Sequence, residues 1–226
     1  MMIATSNIGC RGGVMPCMSP LPHTRCRPSP IVLDLGGATG RVARHLPLML
    51  GVRCFIGDLN EAHVIWTNTH LAPAITAFQT GRAPPLPLPD HSIDIAIGFS
   101  VFTHIYEYET AWLLELRRVL KPGALLYITV HDDETWNTIE RSVFHPSLTS
   151  TKEYKRIKQE QPTLSTRVQF TYARDANVRI CNVFHPRAYI EALWSNVFDV
   201  EAIHPLRHDH QAGVILRAPF GPKSEL

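Results

Sequence analysis

Three glycines close behind an apolar run are the first residues in this chain whose type and spacing suggest chemistry. Gly36, Gly37 and Gly40 follow the apolar residues 31–35 and precede helical spacing. Glycine allows a sharp reversal of the chain, and a ligand can approach the backbone closely where no Cβ projects. The stretch therefore predicts a strand, a tight turn and a helix start that form a floor for a nucleoside-type ligand. A plain strand-to-helix turn without a ligand is the alternative.

A carboxylate lies at the matching place on the next apolar run. Asp58 follows residues 52–56 and comes 22 residues after Gly36. In a doubly wound fold the second strand lies beside the first, so this carboxylate points at the ribose of a nucleotide seated on the glycine turn. It would accept hydrogen bonds from the two ribose hydroxyls. The alternative is that Asp58 caps the next helix, a role that Asn60 can also serve.

The elements that must position these residues alternate between strands and helices over the first half of the chain. Helical spacing is interrupted only by Pro47, which predicts a kink or an early end. The proline-dense stretch 80–89 predicts an extended loop. Ligands bind at the carboxyl ends of parallel strands, so residues 100–106 face the reacting centre. The predicted strands are 31–35, 52–56, 74–79, 92–99 and 124–130, and the predicted helices are 40–50, 60–70 and 107–120.

The second half of the chain has a weaker pattern. It predicts short helices, a hairpin, a last helix and two final strands, 198–203 and 213–216, joined by a loop over 204–212. By analogy with other folds of this kind, residues 134–184 are predicted to cover the substrate. We expect one domain over 31–218 between a flexible tail, 1–30, and a short tail, 219–226. The helices are placed at 134–144, 152–159 and 186–194, and the hairpin strands at 167–172 and 178–184.

Composition narrows the function classes. The chain has 226 residues, a formal charge of +2 and 19% charged residues, which gives no electrostatic footprint for nucleic acid and favours a small or neutral substrate. No apolar stretch reaches the roughly 20 residues of a membrane span. Five cysteines without paired short spacings indicate neither disulfides nor a structural metal, and reduced thiols in the cytoplasm are the default. Arginines without acids in residues 1–30 leave a transit peptide as the alternative to a tail.

Taken together, the ordered motifs resemble those of class I S-adenosylmethionine-dependent methyltransferases of the small-molecule type. The resemblance covers residues 31–217. It implies an α/β fold, a doubly wound, Rossmann-like, seven-stranded and mostly parallel sheet with an antiparallel last strand, and S-adenosyl-L-methionine as cofactor. The motifs that carry it are Val-Leu-Asp-Leu-Gly-Gly-Ala-Thr-Gly at 32–40, Gly57-Asp58, Pro85-Leu86-Pro87, Asp90-His91-Ser92-Ile93-Asp94, Phe99 to His104, and Arg118-Val-Leu-Lys-Pro-Gly123.

The resemblance also implies the roles of the cofactor-binding residues. Asp34 would steady the turn or the cofactor amine, the glycines would pass the methionine portion, and Asp58 would hold the ribose. Ala38 departs from the family pattern, which usually has glycine there, and we expect strain of about 1 kcal/mol if its φ is positive. The remaining positions are Leu59 against the adenine, Arg82 and Ala83 at its border, and Phe99 and Ser100 near the sulfonium.

The nearest rival class fails on glycine register. A nicotinamide-dependent oxidoreductase needs glycine at a position, two later and five later. Counting from Gly36 meets Ala38 and Arg41, and counting from Gly37 meets Thr39 and Val42. A binding protein that keeps the fold and the cofactor but has lost turnover is the other alternative, suggested by Ala38.

Methyl transfer needs a nucleophile held in line with the donor, and an oxygen or nitrogen acceptor can also need a general base. Histidine is the side chain with a pKa nearest neutrality. His104 and His131 follow the fourth and fifth strands, and His104 is the preferred candidate, with a structural role as the alternative for each. Aromatic side chains that could line an acceptor site, or simply lie in the core, are Phe102, Tyr106 and Trp136.

A metal site is not predicted. His204, His208, Asp209 and His210 offer suitable ligand types, but their spacing matches no closed site. The expected partner is a small-molecule acceptor, without nucleic acid or membrane, and the oligomeric state is left open.

Overall fold

The computed structural model describes residues 29–143, 145–173 and 179–221. The predicted tail up to residue 28, the hairpin turn over 174–178 and residues 222–226 lie outside the described residues. The described strands are β1 (Ile31–Leu35), β2 (Arg53–Asp58), β3 (Ile75–Gln79), β4 (Ile93–Gly98), β5 (Leu120–Val130), β6 (Val168–Ala173), β7 (Arg179–Phe184), β8 (Asp199–His208) and β9 (Gln211–Arg217). The described α-helices are α1 (Leu46–Leu50), α2 (Glu61–His70), α3 (Glu109–Val119), α4 (Asp133–Thr138), α5 (Pro146–Thr149), α6 (Lys152–Glu160) and α7 (Arg187–Leu193).

Seven of these strands form one sheet in the order β3-β2-β1-β4-β5-β9-β8. Strands β1 to β5 pair in parallel, while β9 pairs antiparallel with both β5 and β8. This confirms the predicted fold class and the antiparallel last strand. The order reverses between β1 and β4, and ligands of such sheets bind outside the carboxyl ends of the strands at that point.

Side chains alternate between two cores along the central strands. Val32 and Ile56 pack into a cluster on one face, and Leu33 and Ala96 into the larger cluster on the other. Because successive side chains of a strand point to opposite faces, both faces are covered and the carboxyl edge is left for a ligand.

The first helical segment differs from its prediction because of Pro47. Residues 40–50 form a short 3-10 turn at Ala43–His45 and then the five-residue helix α1. Proline is tolerated there because its missing N–H lies in the first turn, where no helical partner is needed. Gly51 ends α1 with φ +63°, as its type predicted.

The final hairpin corrects a second expectation. The predicted loop over 204–212 is wrong, because β8 continues to His208 and β9 begins at Gln211, which pairs with it. Asp209, with φ +55°, and His210 make the reversal. Aspartate tolerates the left-handed conformation better than most residues do, which explains the tightness of this turn.

Residues 133–184 form a unit with its own buried cluster. Trp136, Leu148, Tyr154 and Phe170 pack together in it. The predicted hairpin is present, with β6 paired antiparallel to β7. A bridge between His131 and Phe184 joins this unit to the end of β5.

A buried carboxylate ties that unit to the main sheet. Glu109, at the start of α3, is 2% exposed and accepts hydrogen bonds from His185 Nε2 at 2.6 Å and Trp194 Nε1 at 2.9 Å. The Arg167 guanidinium lies 2.7 Å from it. Burial raises the pKa of Glu109. The hydrogen bond and charge of His185, together with Trp194 and Arg167, outweigh that effect and lower the pKa to about 2.

Arg118 makes several of the contacts that hold the proline-rich loop. Arg118 donates to the carbonyl oxygens of Leu88 at 2.9 Å and Leu86 at 3.2 Å, and it pairs with Glu115 and Asp90. The proline residues of this loop offer no N–H, so its contacts are made mainly by carbonyl groups, with the Leu86 N–H donating to Glu115 Oε1 at 2.6 Å. These contacts give a structural reason for the arginine in the motif Arg118 to Gly123. None of the helices in the described part of the chain combines the length and apolarity needed to cross a bilayer.

Candidate functional site

The glycine turn after β1 is bound to the end of β2. The Gly36 N–H donates to the Gly57 carbonyl oxygen at 2.7 Å. Gly36 has φ +69°, and a Cβ there would lie 2.4 Å from the Val101 side chain. A Cβ on Gly37 would lie 2.8 Å from the Asp34 carboxylate. Only glycine fits at these two positions, so the floor of the site is bare backbone.

Asp58 touches the turn directly. One carboxylate oxygen accepts from the Ala38 N–H at 2.9 Å, and the other accepts from the Asn60 N–H at 2.8 Å, with His63 Nδ1 at 3.3 Å. Asn60 caps α2 and accepts from the Ala62 N–H at 3.0 Å. The capping alternative for Asp58 is therefore wrong, and the structure brings the turn and this carboxylate together.

Two non-glycine residues beside the sheet edge have left-handed backbones. Ala38 has φ +48° and Ser100 has φ +57°. The positive φ at Ala38 fulfils the condition under which strain of about 1 kcal/mol was expected. The Ser100 N–H donates to Thr129 Oγ1 at 2.8 Å, and its hydroxyl bonds to Gln211, so β5 and β9 hold this conformation. Strained positions of this kind cluster at ligand sites.

Asp34 lies beneath the turn and is 2% exposed. Burial, together with the nearby charge of Asp58, raises its pKa to about 7, although the Ala43 N–H and the charge of Arg41 act to lower it. Its Oδ2 has no hydrogen-bond partner among the described residues. An ammonium group placed beside it would satisfy that oxygen and favour its ionised form, which fits the amine of the expected cofactor.

The residues predicted to border the adenine lie after the ends of β2 and β3. Leu59 is 56% exposed, so its apolar side chain is available to a ring. Arg82 is exposed and its carbonyl accepts from Trp112 Nε1 at 3.0 Å, and Ala83 is half-buried beside it. Across the site, the Phe99 ring lies 5.7 Å from that of Tyr127, measured between centroids.

His104 is exposed on the segment after β4. Its Nδ1 lies 2.5 Å from the Cys181 carbonyl oxygen. A carbonyl only accepts, so Nδ1 carries the proton and Nε2 carries the lone pair. The Val183 N–H donates to the Thr103 carbonyl oxygen at 2.8 Å, so β7 holds this segment in place. The arrangement suits a proton acceptor.

His131 is placed differently from the prediction. It is 1% exposed and stacks on Phe184, with ring centroids 5.0 Å apart. Burial, with the neighbouring His145 and His210, lowers its pKa well below the usual value. It therefore lies within a group of imidazoles and does not face an open surface, which removes it as the second candidate base.

The three aromatic residues predicted to line an acceptor site also differ in their surroundings. Phe102 and Trp136 are both 0% exposed and belong to two core clusters, so a core role replaces the predicted lining role. Tyr106 is 36% exposed, with the Arg167 guanidinium 4.1 Å from the ring centroid. It alone of the three presents a surface.

Some contacts in the site could not be predicted from the sequence patterns. Thr129 Oγ1 donates to Gln211 Oε1 at 2.6 Å, and the two form a buried network with Ser100. Thr129 interrupts an apolar strand, which is the one visible hint of it. The position of His63 beside Asp58 follows from one turn of α2.

The sheet order and the antiparallel last strand are those predicted for a class I methyltransferase, and the bare glycine turn and the carboxylate after β2 lie together where the cofactor was predicted to bind. Residues 33–128 match the family model described as "Methyltransferase domain". Residues 33–128 thus carry a methyltransferase domain, and solved structures with the same fold include a protein described as a SAM-dependent methyltransferase.

Individual similar proteins agree with this class. The ubiquinone/menaquinone biosynthesis C-methyltransferase of Cupriavidus pinatubonensis is 27% identical over 132 residues, 55% of this chain and 52% of that protein. The chain thus matches about half the length of its curated relatives. A SAM-dependent methyltransferase from Methanosarcina mazei has a TM-score of 0.61 at 15% identity, covering 90% of this chain and 99% of that one. The geranyl diphosphate C-methyltransferase of Streptomyces coelicolor, solved with S-adenosyl-L-homocysteine, gives 0.53 at 11% identity, covering 84% and 71%.

Proposed function

We propose that this chain transfers a methyl group from S-adenosylmethionine to an oxygen or nitrogen atom of a small organic molecule or sugar. The observation that carries the proposal is the contact between the Asp58 carboxylate and the Ala38 N–H, 2.9 Å long. This contact supports the proposal because it keeps the Asp58 carboxylate at the edge of the bare glycine turn, where one adenosyl ligand could reach both.

The proposed cofactor contacts follow from that placement. Asp34 pairs with the cofactor amine, because its buried Oδ2 has no other partner among the described residues. Asp58 accepts from the ribose hydroxyls, and Leu59 packs on the adenine with its exposed side chain. The remaining contacts are proposed for Gly36, Gly37, Ala38 and Gly40 along the methionine portion, for Arg82 and Ala83 beside the adenine, and for Phe99 and Ser100 near the sulfonium.

When bound, the cofactor supplies an electrophilic methyl group on a sulfonium. The protein then has to hold the acceptor atom in line, about 3 Å from that methyl, and exclude water. We assign the exclusion of water to residues 134–184, because this unit has its own buried cluster and is joined to β5 beside the site. The single domain over 31–218 is part of the same proposal.

His104 is the proposed general base. The Cys181 carbonyl holds the proton on Nδ1, which leaves the Nε2 lone pair to accept a proton from the acceptor. His104→Ala should lower turnover by about a hundredfold while the cofactor affinity stays the same. His204→Ala is the matched control, since His204 is also exposed and lies on β8. Equal turnover in the two variants would remove His104 from the mechanism.

Methylation of a carbon atom is the second candidate, because the curated relatives are C-methyltransferases. One experiment separates the two. Calorimetric titration with S-adenosylmethionine is followed by transfer of a labelled methyl group to matched panels of hydroxyl, amine and activated-carbon acceptors. Product on oxygen or nitrogen supports the proposal, and product on carbon alone supports the second candidate. Binding without any product identifies a cofactor-binding protein that lacks turnover, and no binding refutes both candidates.

A further inference from the structure

Three histidines from distant parts of the chain meet beside the end of β5. His131 follows β5, His145 precedes α5, and His210 lies in the turn between β8 and β9. One ring nitrogen of each lies within 4.8 Å of those of the other two. Three separate segments of the chain each contribute one histidine side chain. The fold, and not the local sequence, brings them together, and such convergence is typical of a ligand site.

The rings are arranged around a common point. The centroid distances are 5.0 Å between His131 and His145, 5.5 Å between His131 and His210, and 4.7 Å between His145 and His210. A tetrahedral ion bound about 2.0 Å from three imidazole nitrogens places the ring centroids about 5 Å apart. Rotation about the side-chain torsions then brings the nitrogens to about 3.4 Å from one another. The backbone spacing is thus already suitable for an ion.

A buried nitrogen without a partner points to a ligand. His131 is 1% exposed, and its Nδ1 has no hydrogen-bond partner in the described parts of the chain, nor does His145 Nε2. A polar atom buried without a partner is destabilising, and a bound cation would use its lone pair.

The backbone around the cluster is fixed by short contacts. The His210 carbonyl oxygen accepts from Thr135 Oγ1 at 2.7 Å, and the His131 carbonyl oxygen accepts from the His185 N–H at 2.8 Å. Ligands held this way lose little conformational freedom when an ion binds.

We propose that His131, His145 and His210 bind one divalent first-row transition metal ion of the zinc class. Three imidazoles leave a fourth position for water or another exogenous ligand, which is the pattern of open zinc sites, and the absence of oxygen ligands from the described cluster disfavours magnesium and calcium. The ion lies one residue from Gln211, which bonds to Ser100. The proposal does not depend on methyl transfer.

Metal titration of the full chain tests the proposal. The protein carries no histidine tag, and a chelator removes any bound metal before the titration. Co²⁺ is followed by its visible bands and Zn²⁺ by calorimetry. We expect one equivalent of metal to bind. His145→Ala and His210→Ala should each weaken the metal affinity at least about a hundredfold, because loss of a ligand costs more than loss of a residue that only hydrogen-bonds to a ligand. His204→Ala, on the same hairpin, should bind like the unmodified chain. Circular dichroism of the metal-free variants shows that they fold.

Several outcomes would overturn the site. These are no saturable binding, equal affinity in His145→Ala and His204→Ala, or a thiolate-to-cobalt band that assigns the ion to cysteine. A metal-dependent rise in melting temperature that is lost in His145→Ala and retained in His204→Ala would support it.

Discussion

The left-handed backbone at Ala38 permits a two-sided test of the cofactor floor. Ala38 has φ +48°, a conformation that costs a non-glycine residue about 1 kcal/mol. Ala38→Gly removes that strain, but the greater freedom of glycine in the unfolded chain opposes it by about 0.4–1 kcal/mol. The net change in the free energy of unfolding is therefore about 0–0.6 kcal/mol in favour of the variant, a rise in melting temperature of about 0–2 °C.

Ala38→Val perturbs the same position in the opposite direction. A β-branched side chain at positive φ adds strain of about 1–3 kcal/mol. The Ala38 N–H donates to Asp58, so a shift of this backbone also moves the proposed ribose contact. We expect the valine variant to melt several degrees lower and to bind S-adenosylmethionine at least about tenfold more weakly, which corresponds to about 1.4 kcal/mol.

Scanning calorimetry gives the melting temperatures and titration calorimetry the cofactor affinities of both variants and the unmodified chain. The glycine variant should bind the cofactor as well as the unmodified chain or more tightly. A tenfold loss of affinity in Ala38→Gly, or full affinity and stability in Ala38→Val, would refute the placement of the cofactor on this turn.

Three further predictions concern buried carboxylates. Asp58→Asn should weaken cofactor binding by about 1.5–3 kcal/mol, roughly ten- to hundredfold, whereas exposed Glu61→Gln should not; equal titration results for the two would contradict the ribose role. Asp34 has a folded pKa raised to about 7, so it binds a proton that the unfolded chain releases, and stability should fall as pH rises from about 4 to 7. Asp34→Asn should remove that slope in urea melts, and an unchanged slope would assign it to other groups. Glu109, with its pKa lowered to about 2, stabilises the fold above about pH 4.5 and loses this contribution as pH falls. Glu109→Gln should therefore cost about 3–5 kcal/mol at pH 7 and less in acid, and a pH-independent loss in urea unfolding would contradict this account.

The turn and the carboxylate on which the cofactor proposal depends were predictable because their signals are local. An apolar run, a glycine turn and an acid after the next run each lie within a few residues, and parallel pairing of β1 with β2 makes their ends neighbours. Asp58 met the turn as its position predicted. The same reasoning placed β4, β5 and the β6–β7 hairpin.

The features that were missed depend on contacts between distant segments. His131 looked like a base at a strand end, yet its surroundings come from His145 and His210, neither of which has a spacing relation to it. Phe102 and Trp136 have the side chains of a ligand wall or of a core, and only packing decides between them. The extension of β8 to His208 depends on pairing with β9, since Pro205 and His204 give no strand pattern of their own.

The separate packing of residues 133–184 affects how relatives of this protein can diverge. Trp136, Tyr154 and Phe170 lie in a cluster distinct from the one that supports β1 and β4. Mutations that reshape the former leave the strands beneath the adenosyl floor undisturbed, because additive effects are expected at sites that share no contacts. Under the proposed function, acceptor choice can thus drift at constant donor affinity. Coupling between the two parts is left to the contacts that join them: Arg167 with Glu109, Phe184 with His131, and Val183 with Thr103.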